Sequence, residues 1–256
     1  MDIKILVATN VDYRFPKDSM YLPIQAGSAI WDKCREDIQT DDTGDNISAK
    51  NASFCELTAL YWGWKNLDCE YLGLCHYRRY FGNKKPVEKW HKVMTEREAE
   101  DLMFQKYPVV VTRKREYMIE TLYSHYGHTH HSVDLKTTRK ILAEKWPEYL
   151  KDYDEVMDRS SAHMFNMFVM RKDLADEYCE WLFAVLFELE KRLDVSGYSD
   201  FDKRVFGRVS ELLLDVWLQH RGIVYAEVPL VFMENPHWFK KGTKFLQAKF
   251  WSGKEL

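Results

Sequence analysis

Short uninterrupted apolar runs recur along the chain, and such runs are typical of buried strands in a parallel sheet. They cover residues 3–9, 71–75, 108–112, 164–170 and 223–233. Between these runs, apolar residues at helical spacing predict helices. The predicted helices cover about residues 52–67, 135–159 with an interruption near Pro147, 174–193 and 205–220. Strands that alternate with helices favour an α/β protein with a central, mostly parallel sheet flanked by helices.

Two segments fall outside these patterns and are predicted to be irregular: residues 10–51 and the histidine-rich residues 125–131. Loops as long as residues 10–51 inside a compact domain are usually either functional or disordered. Ser53 and Glu56 have the spacing of a capping box for the first predicted helix. No repeat or linker divides the sequence, so residues 1–256 are predicted to form a single domain that ends in a basic-aromatic tail.

Composition and charge narrow the classes of protein. Apolar residues make up 46% and charged residues 30%, which is ordinary for a globular protein. The formal net charge of -3 argues against a long nucleic acid as partner. The five cysteines form no Cys-x-x-Cys pair, no signal peptide is visible, and no run of 18 apolar residues occurs. These features predict a cytoplasmic protein.

Polar and basic side chains gather where three predicted strands end. The first strand ends at Thr9, the second continues into His-Tyr-Arg-Arg at residues 76–79, and the third precedes the basic residues 113–115. Ligands of open α/β sheets bind beyond the carboxyl ends of the strands, and paired guanidinium groups match the oxygens of a diphosphate. The alternative is that Arg78 and Arg79 form salt bridges with nearby acidic helices.

Several common motifs are missing from the sequence. It has no Gly-x-Gly-x-x-Gly after the first strand, no Walker A motif, no Gly-x-Ser-x-Gly and no His-Glu-x-x-His. Dinucleotide-binding and P-loop functions are therefore excluded. Residues 41–48 are rich in oxygen ligands but do not have EF-hand spacing, and a solvated Asx turn is the alternative explanation for them.

Four histidines lie within seven residues, at His125, His128, His130 and His131, and Asp134 follows them. Such a cluster is compatible with a metal site, although neighbouring side chains such as His130 and His131 rarely ligate one ion together. Contact with a substrate and simple exposure to solvent are the other two interpretations. The sequence alone leaves all three open.

Four segments, residues 5–21, 42–67, 71–81 and 166–183, together resemble a known family. The specific motifs are Gly-Asp-Asn-Ile-Ser at 44–48, Cys-Glu-Leu-Thr-x-x-Tyr-Trp at 55–62 and His-Tyr-Arg-Arg-Tyr-Phe at 76–81. The chain is similar to small bacterial glycosyltransferases encoded with capsular, exopolysaccharide and lipopolysaccharide genes. That family was long catalogued as a domain of unknown function and includes galactofuranosyltransferases. The resemblance implies a GT-A-like, Rossmann-related enzyme that moves a sugar, such as galactofuranose or galactose, from a UDP-sugar to a surface-polysaccharide acceptor.

The resemblance also implies which residues bind the nucleotide-sugar donor: Thr9, Asp45, Asn46, Glu56, His76, Tyr77, Arg78 and Arg79. GT-A enzymes usually hold a divalent metal with an Asp-x-Asp at a central strand end, whereas this chain has residues 76–79 there. Cationic side chains can replace a metal in neutralising a departing diphosphate. The expectation is an enzyme without a metal or other cofactor, in which Arg78 or Arg79, with His76, stabilises the departing UDP.

Transfer with inversion needs a general base for the acceptor hydroxyl group. Two carboxylates are candidates, each with a structural alternative: Asp134 as a helix cap, and Glu211 as a salt-bridge partner of Arg208. Four further residues are expected to face the acceptor: His130, His131, His163 and Asn166. For Asn166, a strand asparagine bonded to backbone is the alternative.

Residues 237–251 carry four lysines and five large aromatic side chains. Basic-aromatic segments bind membrane surfaces, where a lipid-linked glycan acceptor would lie. The protein is therefore expected to be peripheral at the inner face of the plasma membrane, although a lid over the nucleotide or a packed terminal element would also fit. Two other functions stay open from the residues alone: a histidine-cluster metallohydrolase and a non-catalytic module that binds nucleotide sugars.

Overall fold

A computed structural model describes residues 1–31, 34–83, 85, 87–104 and 107–234. Its strands are β1 (Ile3–Thr9), β2 (Tyr21–Gln25), β3 (Gln39–Thr40), β4 (Tyr71–His76), β5 (Arg79–Phe81), β6 (Val109–Thr112), β7 (Arg115–Glu116), β8 (Ser161–Ala162), β9 (Phe168–Arg171), β10 (Tyr225–Val228) and β11 (Leu230–Phe232). Its α-helices are α1 (Asn51–Phe54), α2 (Leu57–Asn66), α3 (Glu96–Phe104), α4 (Leu122–Thr129), α5 (Ser132–Lys145), α6 (Leu150–Met157), α7 (Lys172–Arg192) and α8 (Val205–His220).

The main sheet has the strand order β10-β6-β9-β4-β1-β2-β3, and β5 with β11 extends from the end of β4. Strands β1 to β4 run parallel, as do β6 and β10. Strand β9 is antiparallel to both of its neighbours, β4 and β6. Consequently β4 and β6 point the same way, so the carboxyl ends of β1, β4 and β6 lie at one edge together with the beginning of β9. The predicted mostly parallel α/β sheet is confirmed.

The sheet separates two clusters of buried hydrophobic side chains. The alternation of β1 sends Leu6 and Ala8 to one face and Ile5 and Val7 to the other. Helices α7 and α8 pack on the first face, whereas α3 covers the second through residues such as Met103. With both faces covered, only the edges of the sheet are open to a ligand.

Residues 10–51 are not one irregular segment, because they contain β2 and β3. Pro23 lies inside β2, and a proline argues against a strand in a sequence pattern, so this strand was not expected. The segment is held by the fully buried Asp41, whose carboxylate accepts from the backbone N–H groups of Gly27 at 2.8 Å and Ser28 at 3.0 Å. The buried Asp41 carboxylate therefore fixes the backbone that follows β2, where regular secondary structure does not do so.

The helix expected over residues 52–67 is two helices, α1 and α2. The break falls at Cys55, whose φ of 53° no α-helix contains. The Ser53 hydroxyl donates to the Lys50 carbonyl at 3.3 Å, so the capping box with Glu56 is wrong. The break frees the Glu56 side chain from its expected capping role.

The bounds of other elements differ less from the predicted ones. The histidine-rich residues 125–131 lie mainly in α4, whereas an irregular segment was expected. Pro229, which lacks an N–H group, divides the last apolar run into β10 and β11. The interruption expected near Pro147 is confirmed between α5 and α6, and α8 spans the residues predicted for it.

Candidate active site

Five of the predicted site residues come together at the edge where β1, β4 and β6 end: Glu56, His76, Arg79, Asn166 and Glu211. They come from four separate places in the chain, since His76 and Arg79 lie on either side of one turn. Glu56 immediately precedes α2, His76 ends β4, Arg79 begins β5, Asn166 lies just before β9, and Glu211 lies in the first half of α8. The topology of the sheet, and not proximity in sequence, therefore assembles the site.

A hydrogen-bond network fixes Asn166 between α2 and α8. Its Nδ2 donates to Oε1 of Glu56 at 2.7 Å and to the Gly207 carbonyl at 3.0 Å, and its Oδ1 accepts from the Ser210 hydroxyl at 2.9 Å. Gly207 allows this close packing, because a Cβ atom there would lie 3.2 Å from the Cys55 side chain. Asn166 therefore positions the Glu56 carboxylate, which is only 8% exposed.

The backbone around this network is in a conformation that non-glycine residues seldom adopt. Phe165 has a φ of 74°, Asn166 of 54° and Cys55 of 53°. Only one other non-glycine residue among those described, Met118, has a positive φ. Such conformations cost roughly 1–3 kcal/mol each and cluster at functional sites, where the surrounding contacts maintain them. Their concentration here supports this edge as the candidate functional site.

Glu211 is a residue of this site whose pKa lies near neutral pH. Burial raises the pKa of Glu211 to about 7, and the negative charge of Glu56 acts in the same direction. The Phe165 backbone N–H and the cations of Arg79 and Arg115 oppose this rise in the pKa. A buried carboxyl group with a pKa near neutral pH, surrounded by charged side chains, is suited to general acid–base catalysis.

His76 and Arg79 face each other across the turn from β4 to β5. Nε2 of His76 lies 3.0 Å from the Phe165 carbonyl and 3.7 Å from Oε1 of Glu56, and burial lowers the pKa of this imidazole. The Arg79 guanidinium lies 4.2 Å from the centre of the Phe165 ring. Its buried Nε has no hydrogen-bond partner among the residues that the structure describes. An unsatisfied buried N–H at a strand end is suited to a ligand oxygen.

Three other predicted donor residues lie at the rim of the site or are bonded locally. Arg78 turns outward to Glu234 at 3.3 Å, and its guanidinium lies 4.9 Å from the centre of the Tyr77 ring. The Thr9 hydroxyl closes a turn at the end of β1 by donating to the Val11 carbonyl at 2.8 Å. Neighbouring residues 78 and 79 thus point in different directions, which leaves one arginine for the buried part of the site.

Asp45 and Asn46 are not brought to this site. They lie beside the C-terminal end of α2, where Asn66 donates to the Asp45 carbonyl at 2.8 Å. Glu56 precedes the other end of this 10-residue helix, and a rise of about 1.5 Å per residue separates the two ends by about 15 Å. Asn46 accepts from the Ser48 N–H at 3.2 Å in an Asx turn, as the alternative explanation expected. Among the described residues, no contact of this pair supports the expected role in binding the nucleotide-sugar donor.

Asp134 is buried in a separate cluster. One carboxylate oxygen accepts from the Tyr126 hydroxyl at 2.8 Å and the other from the Tyr198 hydroxyl at 2.7 Å. Burial raises the pKa of Asp134. Because both oxygens already accept from protein hydroxyl groups, the geometry favours Glu211 over Asp134 as the base.

His163 is fully buried between two carboxylates. Its Nδ1 faces Asp215, its Nε2 lies 2.8 Å from Glu227, and its backbone N–H also donates to Asp215 at 2.8 Å. Both ring nitrogens therefore have protein partners, and the expected contact with an acceptor has no support. Since His163 is three residues before Asn166, it anchors the loop that carries the strained residues 165 and 166.

His130 and His131 lie beside the start of α8. Nη1 of Arg208 donates to Nδ1 of His130 at 3.0 Å, and burial lowers the pKa of His130 to about 4, so the ring is neutral. Arg208 also lies 3.6 Å from Asp202. The alternative in which Arg208 pairs with Glu211 is therefore not seen. His131 is more exposed than His130 and stacks on the Tyr198 ring, and its expected contact with an acceptor stays a prediction.

The other two histidines of the cluster share one carboxylate. Nδ1 of His125 and Nδ1 of His128 each lie 2.8 Å from an oxygen of Glu120. Within the part of the chain that the structure describes, no group of three or more His, Cys, Asp or Glu side chains could hold a metal ion. Glu120 and Asp202 thus divide the four histidines between them, and the described residues give no support to the metal site of a metallohydrolase.

Sequence reasoning missed several residues of this edge. Besides Phe165 and Ser210, Arg204 donates from Nε to Sγ of Cys55 at 3.2 Å. Burial raises the pKa of Cys55 to about 11, so this sulfur is a thiol. The only available signal was the motif at residues 55–62, in which Cys55 directly precedes Glu56.

The sheet topology and the site at its carboxyl edge define an α/β protein of the GT-A type. The family described as Domain of unknown function (DUF4422) matches residues 4–222, so the chain belongs to that family. The chain is also similar to the apo structure of WbbM, a bifunctional glycosyltransferase, with a TM-score of 0.84 and 29% sequence identity. The match covers 92% of this chain and 46% of that chain, so this chain spans about half the length of WbbM. No curated protein matches.

These findings confirm the resemblance and the GT-A-like fold that the sequence predicted. The basic-aromatic tail at residues 237–256 lies outside the described residues. Among the helices that are described, none has the length and hydrophobicity needed to cross a membrane.

Proposed function

We propose that the protein is a glycosyltransferase that moves a sugar from a UDP-sugar to a hydroxyl group of a surface-polysaccharide acceptor. The likeness to WbbM over 92% of the chain supports the class of enzyme. The observation that carries the proposed reaction type is the buried Glu211 carboxyl group close to the Arg79 cation, because its pKa of about 7 supports a role as general base. The family resemblance supports galactofuranose or galactose as the sugar. The cysteine pattern supports a cytoplasmic enzyme, and the basic-aromatic residues 237–251 support a peripheral position at the inner face of the plasma membrane.

The cations at the strand ends support binding of the donor diphosphate. The buried Nε–H of Arg79 lacks a partner among the described residues, and Arg78 adds a second guanidinium at the rim. Donors fixed in this way stabilise the charge that develops on a departing diphosphate. Because residues 76–79 contain no carboxylate, these cations take the role that a metal has in other GT-A enzymes.

Glu211 acts as the base for the acceptor. The acceptor oxygen forms its bond to the anomeric carbon as its proton passes to the Glu211 carboxylate. The bond from that carbon to the diphosphate oxygen breaks, and its electron pair leaves with UDP. Attack from the face opposite the leaving group inverts the anomeric centre. A base with a pKa near the working pH combines a deprotonated population with sufficient proton affinity.

Replacement of the base tests this function. We expect Glu211→Gln to lower kcat by roughly 10²–10⁴-fold while UDP binding is kept, because only the proton transfer is lost. Glu180→Gln, on the exposed side of α7, is the matched control and should keep wild-type kcat. A Glu211→Gln enzyme with wild-type kcat would remove Glu211 from this role. A wild-type protein that binds UDP but neither transfers nor hydrolyses any UDP-, GDP- or dTDP-sugar would be a binding module.

Metal independence is tested with the same assay. We expect full activity after treatment with EDTA, since Arg78 and Arg79 neutralise the diphosphate. Activity that disappears with EDTA and returns with Mn²⁺ would contradict this part of the proposal and leave the transferase class intact.

A further inference from the structure

A basic groove runs beside β11, outside the candidate active site but adjacent to it. The cavity has a volume of about 500 Å³, and four cations line it: Lys85, Lys89, Lys92 and Arg113. Strand β11 and Pro229 form its apolar wall. No carboxylate is among the described residues of the lining.

The positive charge of this groove is only partly neutralised. Lys85 pairs with Glu98 at 2.7 Å, and Lys89 donates to the Met233 carbonyl at 3.2 Å. Lys92 and Arg113 form no ion pair with any described residue. Two cations without a carboxylate partner, beside an apolar wall, attract an anion that carries an apolar chain.

The groove lies next to the candidate active site. Phe232 of β11 pairs with Arg79 of β5, and its ring centre lies 6.1 Å from that of Phe165. Asn83, at the groove, follows Arg79 by four residues, which corresponds to about 13 Å of extended chain. An anion in the groove would therefore hold the open edge of the sheet close to whatever surface carries that anion.

We propose that this groove binds the phosphate headgroups of anionic phospholipids, and so docks the protein on a membrane with its active-site edge near the surface. The cations contact the headgroup phosphate, and β11 with the exposed Val87 contacts the upper part of the acyl chains. This binding needs no sugar transfer, so it can fail or succeed independently of the proposed function.

The experiment is co-sedimentation of the full chain with two kinds of vesicle. One kind is phosphatidylcholine alone, and the other also contains anionic phosphatidylglycerol, roughly one lipid in three. The test variant is Lys92→Gln/Arg113→Gln, which breaks no ion pair among the described residues. The matched control is Lys136→Gln/Lys140→Gln on the exposed side of α5, which removes the same charge. Melting temperatures of both variants verify that they are folded.

We expect wild type to bind the anionic vesicles and to lose this binding at high salt. Each cation near an anionic surface contributes roughly a fivefold factor to partitioning, so the groove variant should bind about 25-fold more weakly and the control variant like wild type. Equal loss in both variants would show a net-charge effect and overturn the proposal. Wild-type binding by the groove variant would also overturn the proposal, because the membrane contact would then lie elsewhere. Full release of the wild-type protein by pyrophosphate at roughly millimolar concentration would overturn it too, because it would indicate a soluble phosphate ligand.

Discussion

The pKa of Glu211 depends in part on the charge of the neighbouring Glu56, which can be replaced by a side chain of similar size. Burial and the Glu56 charge both raise the pKa of Glu211, and Asn166 holds Glu56 in place. The wild-type kcat/KM should therefore rise with pH through about 7, because only the deprotonated carboxylate accepts the acceptor proton.

Glu56→Gln removes the like charge and should lower the pKa of Glu211. The rising limb of kcat/KM then moves to lower pH, on the order of one unit, whatever the change in absolute rate. The pH–rate profile measures this directly, with Glu180→Gln as a variant that loses an equal charge elsewhere. A limb that stays in place in Glu56→Gln would show that the two carboxylates do not interact.

At the scale of single residues, the sequence predicted part of the site for a physical reason. His76 and Arg79 follow a buried strand, and strand ends of parallel sheets gather ligands, so their position could be inferred from the apolar run before them. The bond from Asn166 to Glu56 spans 110 positions and depends on a left-handed backbone at two non-glycine residues. Neither feature has a local signature in the sequence.

At the scale of elements, the loop before β9 depends on His163. Its ring lies between Asp215 and Glu227, and its removal would leave the buried Asp215 without its side-chain partner. We expect His163→Ala to lower the free energy of unfolding by about 2–4 kcal/mol. It should also lower kcat, because Asn166 loses its fixed position three residues further along.

Urea denaturation measures the loss of stability, with His91→Ala as the control because the His91 side chain is 76% exposed. A change in the midpoint without a change in the m-value would indicate lost stability in an intact fold. If His163→Ala unfolds at the wild-type urea concentration, His163 does not anchor the loop.

At this scale, the hydrophobic pattern of the sequence predicts some elements and misses others. Helix α8 and strand β1 are long or fully buried, so their hydrophobic periodicity fixed their bounds correctly. Strand β2 contains Pro23, and β3 has only two residues, so neither produces a recognisable period. Their positions depend on the buried Asp41, a tertiary contact that local sequence does not show.

At the scale of the whole molecule, a ligand at the carboxyl edge would connect the strands that end there to helix α8. Under the proposed function, UDP binds the folded protein and not the unfolded chain, so it should stabilise the fold by mass action. At a concentration of about 100 Kd the gain is about 2.7 kcal/mol, which corresponds to a rise in Tm of about 5–10 °C for a chain of this size.

Two substitutions locate the bound nucleotide within the fold. Arg79→Gln should abolish most of the UDP-induced rise in Tm, because its guanidinium lies at the strand ends and its Nε has no other described partner. Asp45→Ala should keep the rise, because Asp45 lies beside the C-terminal end of α2, about 15 Å along the helix from the end that Glu56 precedes. Differential scanning fluorimetry with and without UDP separates the two variants. The reverse result would place the nucleotide at the loop of residues 41–48, and the edge built by Glu56, Asn166 and Glu211 would then need another ligand.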